Sequence, residues 1–279
     1  KQSDFVPKLR RILTSYPSVD SWQISLEILE TSALDDLGYA AKVIKQCDKL
    51  GANFALDDFG TGYSSLNYIK QLPITCLKID SSFIRDMFDD SSDLVITNGI
   101  LALAKAFQLN TVAEGVEHKH QLKVLTQLGC NFAQGYFIGK PMPAKEVSSW
   151  HQKFNEKENW PQYAPMSNDE QSILIALIQH ENWLEKINQF LNNHTQQPPY
   201  EEDHHCRLGN WLNDDINKTE QARQLIEPIK ELHLHIHSLS NEIIKLNYQG
   251  ETIKAKTIFK KLKKESGSMN KMLREVTNI

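Results

Sequence analysis

The stretch ALDDFGTGYSS, at residues 55–65, decides the fold of the first half of this chain. The apolar run NFAL, which overlaps its start, predicts a buried strand. Two adjacent carboxylates, Asp57 and Asp58, follow, and Gly60 and Gly62 then favour a sharp turn. Because neighbouring side chains of a strand point to opposite faces, we expect both carboxylates to reach one site only where the strand ends. Two acids there suit a divalent cation with oxygen ligands, whereas an Asx turn with a helix cap explains only one.

Strand-like and helix-like segments alternate five times over the first half of the chain. The predicted strands lie at residues 23–29, 53–56, 75–80, 110–116 and 131–139, with helical segments in the intervals. This alternation predicts the α/β class, with a parallel sheet and helical crossovers.

Polar residues stand at the end of each predicted strand. They are Glu27, Asp57, Asp58, Lys78, Asp80, Glu114 and Gln134. In barrels and open α/β folds, the carboxyl ends of the strands form the active site. Each residue alone could be a helix cap or half of a surface salt bridge, but together they predict one site assembled from distant segments.

Composition limits the classes of function. The chain has 279 residues, enough for two domains, and its net charge of −4 gives no argument for binding a nucleic acid polymer. No apolar run is long enough for a membrane span, and no signal peptide is recognisable after Lys1. Four widely spaced cysteines without a CxxC pair favour reduced thiols, as in the cytoplasm.

The motifs of the first half resemble those of the EAL domain family. They are LEILE at 26–30, DDFGTGYSS at 57–65, LKID at 77–80, AEGVE at 113–117 and QGY at 134–136. The first resembles the family's Glu-x-Thr-Glu segment, with Leu29 in place of Thr. The resemblance covers roughly residues 1–150. It implies a modified TIM barrel that hydrolyses the bacterial messenger cyclic di-GMP to linear pGpG with two Mg²⁺ or Mn²⁺ ions.

The resemblance also implies roles for individual residues. Asp57 would bridge the two metal ions, and Glu27, Asp58 and Glu114 would be further ligands. Lys78 would hold and orient the attacking water. Four more residues would act around this site: Asp80 and Gln134 by supporting it, and Glu30 and Glu117 by positioning its loops.

Two parts of the family pattern are not in this sequence. One is the Glu-Ala-Leu signature, and the other is an Asn-x-Ser segment expected just before Lys1. Both normally supply metal ligands, and the predicted strands are five of the eight that a closed barrel has. Because the other motifs are nearly intact, we expect an N-terminally incomplete barrel and not a degenerate remnant. The alternative is an inactive regulatory protein that senses zinc and binds a ligand or a partner.

The second half of the chain has a different pattern. Prolines and mixed polar residues between Trp150 and Met166 indicate a linker, and the segments after it have helical periodicity without a strand signal. A small helical bundle is the natural fold for such segments. The sequence therefore predicts a phosphodiesterase-like domain, a linker and a helical domain, at residues 1–153, 154–167 and 168–279.

Three histidines and one cysteine of the helical domain form a candidate zinc site. His233 and His237 are four residues apart, so their imidazoles share one helix face. Together with His180 and Cys206 they suit tetrahedral zinc, whereas His235 lies on another face and is excluded. The alternative is that the histidines are surface residues and the cysteine is a core thiol.

These residues lie within motifs that resemble the chemoreceptor zinc-binding (CZB) domain family. The motifs are HENW at 180–183, CRLGNW at 206–211 and His-x3-His at 233–237, and the resemblance covers roughly residues 168–277. It implies a four-helix bundle, often dimeric, that binds zinc through three His and one Cys and regulates an attached signalling output. His204 and His205, which flank the cysteine, could replace one of the named histidines.

Overall fold

A computed structural model describes residues 4–62, 68–157, 164–192, 198–199, 206–214 and 220–277. The chain divides into two compact units, Lys1–Pro165 and Met166–Ile279. The helix Ala144–Lys157 extends into the predicted linker, so regular structure continues beyond residue 153.

The described part of the first unit contains a five-stranded parallel sheet. Its order is β1-β2-β3-β4-β5, so each strand lies beside its neighbours in sequence. This confirms the predicted α/β class. The strands are β1 (Ser25–Leu29), β2 (Asn53–Phe59), β3 (Cys76–Ile79), β4 (Asn110–Ala113) and β5 (Phe132–Ala133).

Helices connect these strands. Asp36, Asp80 and Asp90 each cap a following helix by accepting a backbone N–H with the side chain, as expected of Asp before a helix. The helices are α1 (Phe5–Ser15), α2 (Glu30–Asp35), α3 (Leu37–Asp48), α4 (Ser81–Arg85), α5 (Ser91–Ala106), α6 (Lys119–Gln127) and α7 (Ala144–Lys157), with 3-10 turns at Ser21–Gln23 and Ile69–Gln71.

The centre of the sheet is buried and its first edge is not. Leu56 of β2 and Leu77 of β3 are fully buried, as in the interior of parallel sheets. Alternate residues of β1 are exposed, and Leu29 at its end is 45% exposed. Strand β1 therefore presents one uncovered face within the described residues.

Strands β4 and β5 end three and six residues earlier than the sequence predicts. Strand β4 ends at Ala113 because Gly115 adopts a positive φ of 70°, which breaks the extended backbone. Strand β5 ends at Ala133, since the chain then passes so close to Val116 that a Cβ on Gly135 would overlap its backbone. Of the helix predicted at residues 64–72, residues 64–67 lie outside the described residues, and residues 68–72 contain a 3-10 turn, Ile69–Gln71, in place of an α-helix.

The second unit is a helical bundle, as predicted. Its described helices are α8 (Asn168–Asn192), α9 (Arg207–Asn213), α10 (Glu220–Tyr248) and α11 (Thr252–Thr277). Helix α10 continues through Pro228. The bundle core contains Ile187, Leu208, Ile229 and Leu262, each fully buried. One of the four helices, α9, has only seven residues.

No helix in the described ranges combines the length and the apolar character that crossing a membrane requires. All four cysteines fall within those ranges, and none forms a disulfide.

Candidate functional site

A distortion of strand β2 brings its two carboxylates together. The sequence predicts that this strand ends before Asp57, but the strand continues to Phe59. Its pairing with β3 shifts register between Leu56 and Phe59, and Asp58 has a φ of 55°. Asp tolerates this left-handed conformation better than most residues. In a regular strand, Asp57 and Asp58 would point to opposite faces of the sheet. The bulge, and not the predicted end of the strand, lets both side chains reach one site.

The carboxylates of β2 meet a third from the end of β4. Ligand oxygens of Asp57, Asp58 and Glu114 lie within 4.8 Å of one another. Glu27 of β1 joins this group through the ammonium of Lys78, which it contacts at 2.9 Å. We call these four carboxylates the acidic cluster: Glu27, Asp57, Asp58 and Glu114.

Lys78 lies at the centre of the acidic cluster. It is 5% exposed, and its Nζ contacts Glu27 Oε1 at 2.9 Å, Asp57 Oδ1 at 2.8 Å and Glu114 Oε1 at 2.6 Å. Lys78 belongs to β3, which lies between β2 and β4, so the lysine side chain reaches acids on both sides. Four neighbouring strands therefore contribute to one site, as the polar strand ends predicted.

The electrostatics of the acidic cluster follow from this geometry. Burial would lower the pKa of Lys78, but its hydrogen bonds to Asp57, Glu114 and Glu27 outweigh burial and raise that pKa above its ordinary value. Lys78 is therefore protonated at neutral pH. Burial and the neighbouring charge of Asp57 raise the pKa of Asp58.

Glu30 anchors the loop that follows β2. Its carboxylate is 1% exposed and accepts hydrogen bonds from the Gly60 backbone N–H at 3.1 Å and the Tyr68 hydroxyl at 2.6 Å. A Cβ on Gly62 would lie 3.3 Å from the same carboxyl group, so this loop packs closely on Glu30. The contact exists although Leu29 stands where the family has Thr. Tyr68 was not singled out from the sequence, since a lone Tyr gives no signal of its partner.

Three other predicted residues make contacts outside the acidic cluster. Asp80 caps α4, accepting from the Ser82 backbone N–H at 3.0 Å, although its charge also helps to raise the pKa of Asp58. Gln134 is exposed, and the described hydrogen bonds to it involve its backbone. Glu117 is exposed and donates its backbone N–H to Gln121 Oε1 at 2.9 Å. The supporting roles of these three residues stay predictions.

Sequence reasoning missed Gln121, which holds the loop after β4. Its side chain is buried, accepts from the N–H groups of Glu117 and His118, and donates to the Ile84 carbonyl at 2.9 Å. It therefore ties the loop that follows Glu114 to helix α4. A buried Gln within an amphipathic helix looks like a surface residue in the sequence, so no pattern pointed to it.

In the bundle, three helical segments bring the predicted zinc ligands together. His180 comes from α8, Cys206 lies directly before α9, and His233 and His237 come from α10. The three histidines offer nitrogens within 4.8 Å of one another, and all four side chains are buried. Cys206 Sγ lies 3.5 Å from His233 Nε2, which lies 3.1 Å from His237 Nε2. These four residues are called the His/Cys cluster.

His180 tests whether the His/Cys cluster suits a metal. It is 1% exposed, and neither ring nitrogen has a hydrogen-bond partner among the residues that the structure describes. Burial, followed by repulsion from His233 and His237, lowers its pKa from 6.5 to about 3. A buried neutral imidazole with an unused lone pair, beside a thiol and two further imidazoles, is the donor set that zinc prefers. The residues therefore fit a zinc ion.

Trp183 lies against the His/Cys cluster, whereas His235 does not. Trp183 packs against His180 and His237, with ring centroids 5.2 and 4.7 Å apart, and donates its indole N–H to the Pro199 carbonyl. His235 is exposed and lies 3.5 Å from Glu265, away from the three clustered histidines. His204 and His205, the alternative ligands, lie outside the described residues.

The sequence matches the models of two protein families. The model of the EAL domain matches residues 1–141, half of the chain. The chain belongs to the EAL domain family. The model of the chemoreceptor zinc-binding domain matches residues 180–244, which include every member of the His/Cys cluster.

Curated relatives match over the EAL domain. The bifunctional diguanylate cyclase/cyclic di-GMP phosphodiesterase MucR of Pseudomonas aeruginosa is 43% identical over 130 residues, which are 47% of this chain and 19% of that protein. The cyclic di-GMP phosphodiesterase PdeR of Escherichia coli is 38% identical over 131 residues, 47% of this chain and 20% of PdeR. The chain thus spans about a fifth of the length of these relatives.

Solved structures share the same EAL fold. The PaMucR phosphodiesterase in complex with c-di-GMP has a TM-score of 0.51 and 40% identity, covering 52% of this chain and 59% of that chain. The EAL domain of Mycobacterium smegmatis DcpA has a TM-score of 0.51 and 35% identity, covering 55% and 68%.

Proposed function

We propose that the EAL domain of this protein catalyses metal-dependent hydrolysis of cyclic di-GMP to pGpG. The observation that carries the proposal is the convergence of four neighbouring parallel strands on one site, with four carboxylates arranged around Lys78. The similarity to MucR and PdeR, whose names include cyclic di-GMP phosphodiesterase, supports the choice of substrate.

The acidic cluster is suited to hard divalent cations such as Mg²⁺ or Mn²⁺. Its donors are all carboxylate oxygens, and three of them lie close enough to share one ion. Asp57, Glu27, Asp58 and Glu114 would hold the ions, and Asp57 would serve both of them. Bound ions lower the pKa of a water and stabilise the phosphate oxygens during displacement at phosphorus.

Lys78 acts in this proposal as a hydrogen-bond donor. Because its carboxylate partners raise its pKa, it stays protonated and cannot serve as a general base. A protonated amine can hold and orient the attacking water, or offset negative charge on the phosphate. Glu30 keeps the loop after β2 in place through Gly60 and Tyr68.

The bundle is proposed to bind one zinc ion through the His/Cys cluster and to regulate the EAL domain. The ring of His180, which has no hydrogen-bond partner within the described ranges, and the short separations among His233, His237 and Cys206 support zinc binding. We further propose a homodimer that works in the bacterial cytoplasm. The free cysteines agree with a reducing compartment.

Product analysis tests the proposed activity. The chain, and the longest product of its gene, are incubated with cyclic di-GMP and Mn²⁺ or Mg²⁺, and nucleotides are separated by chromatography. We expect pGpG to form only with added metal, more slowly with the 279-residue chain, whose β1 is uncovered on one face. Binding of cyclic di-GMP without any hydrolysis by either protein would favour the alternative, an inactive zinc-sensing regulator.

A further inference from the structure

The ammonium of Lys78 occupies oxygens that metal ions would need. Its contacts use Glu27 Oε1, Asp57 Oδ1 and Glu114 Oε1, at 2.6 to 2.9 Å. These residues are three of the four members of the acidic cluster. A carboxylate oxygen that accepts a charged hydrogen bond at this distance has a lone pair directed at nitrogen and not at an ion.

Lys78 also explains how the acids can lie so close together. Carboxylates this close to one another repel, and burial and the neighbouring carboxylate of Asp57 raise the pKa of Asp58. A cation among them offsets that repulsion, and a buried ammonium is itself stable only when paired. The three ion pairs of Lys78 therefore help to hold the carboxylates close together.

We propose that Lys78 is an internal competing cation that sets the affinity of the acidic cluster for divalent ions. This inference rests on the proposed metal binding by that cluster. The ammonium and an incoming ion draw on the same carboxylates, so an ion that takes a contacted oxygen requires Lys78 to withdraw from it. Once withdrawn, the ammonium is free to contact water or phosphate. Lys78 therefore becomes available for its proposed role only when metal is bound.

Competition makes a prediction opposite to that of a supporting residue. If Lys78 only helped to build the site, its removal would weaken metal binding. If it competes, removal leaves the carboxylates with uncompensated charge and unoccupied oxygens, and affinity rises. We expect Lys78→Met to bind Mn²⁺ at least about tenfold more tightly than the wild type, although it cannot orient the water.

The measurement is a Mn²⁺ titration of the 279-residue chain, with free Mn²⁺ followed by electron paramagnetic resonance and without cyclic di-GMP. Lys70→Met is the matched control, because Lys70 is an exposed lysine of the same unit. The double variant Lys78→Met/Asp57→Asn reports Mn²⁺ bound elsewhere, including at the His/Cys cluster. Circular dichroism checks folding, and Lys78→Gln replaces Lys78→Met if the latter unfolds.

Tighter Mn²⁺ binding by the Lys78 variant, abolished in the double variant, supports the inference. Equal or weaker binding than in the wild type overturns it. The result is separable from the proposed function: tighter binding with no hydrolysis by any form would contradict the enzyme alone. Hydrolysis by the wild type, together with unchanged affinity in the variant, would contradict the competition alone.

Discussion

The two candidate metal sites solve the problem of buried polar groups in opposite ways. The acidic cluster contains its own counter-ion, since Lys78 contacts three of its carboxylates. The His/Cys cluster avoids charge instead, because burial depresses the pKa of one of its histidines, His180, which is neutral. An ion that takes a contacted oxygen of the acidic cluster must therefore displace the ammonium of Lys78. An ion that binds the His/Cys cluster can use the lone pair of a neutral imidazole directly.

Removing charge should have its largest effect in the acidic cluster. Asp57→Asn keeps the size of the side chain but removes the charge proposed to bridge two ions. We expect hydrolysis of cyclic di-GMP to fall by at least about a hundredfold. The assay measures pGpG formation at saturating Mn²⁺, with Asp89→Asn, an exposed residue of the same unit, as the control. Activity within a few-fold of the wild type would remove Asp57 from the site.

The His/Cys cluster should be broken most effectively at its thiol. Cys206→Ala removes the only sulfur ligand, and we expect zinc affinity to fall by about tenfold or more. His235→Ala is the matched control, because its ring is exposed and pairs with Glu265. Competition with a chromophoric chelator measures both affinities, and elemental analysis checks for one zinc per chain. Loss of zinc in the His235 variant, but not in the Cys206 variant, would overturn the ligand assignment.

Acid should destabilise the metal-free bundle through His180. Its pKa is lowered from 6.5 to about 3, so between these values the unfolded chain binds a proton that the folded chain does not. The stability that this group contributes is present above pH 6.5 and is lost as the pH falls, by about 2 kcal/mol at pH 5. Thermal unfolding of residues 166–279 in chelator, from pH 7 to pH 5, measures this loss. In His180→Phe the dependence on pH should become shallower, and an unchanged slope would show that other groups cause it.

A smaller effect should separate loop anchoring from metal binding. Tyr68→Phe removes the hydroxyl that donates to Glu30 but leaves the Gly60 N–H contact. We expect the free energy of unfolding of the EAL domain to fall by about 1 kcal/mol, with the bundle unchanged. Tyr16→Phe, at an exposed tyrosine of the same unit, is the control in denaturant unfolding. Equal stability of the two variants would mean that the Glu30 hydrogen bond does not hold the loop.

Periodic segments and clusters of polar residues can be predicted from the sequence. Features that depend on the exact backbone conformation cannot. Alternating segments and polar strand ends predicted the sheet and its residues Glu27, Lys78 and Glu114. The His-x3-His spacing placed His233 and His237 on one face. Neither pattern contains the positive φ of Asp58 or the register shift of β2, because local strand propensity describes only regular pairing.

Partners far apart in sequence were also not predictable. Glu30 and Tyr68 are 38 residues apart, and Gln121 reaches the Ile84 carbonyl 37 residues away. Each contact depends on how loops at one end of the sheet fold over one another. A single polar residue has many potential partners, so its type and position alone do not select one.

The bulge of β2 makes the spacing within this strand as important as its composition. Asp57 and Asp58 are the two residues between Leu56 and Phe59, so deleting either would restore regular pairing with β3 but remove a carboxylate from the acidic cluster. Inserting a residue there would widen the register shift and change which face of the sheet the following side chains occupy. Substitution libraries would therefore understate the constraint on this segment, and only changes in its length would reveal that the EAL domain tolerates no gap there.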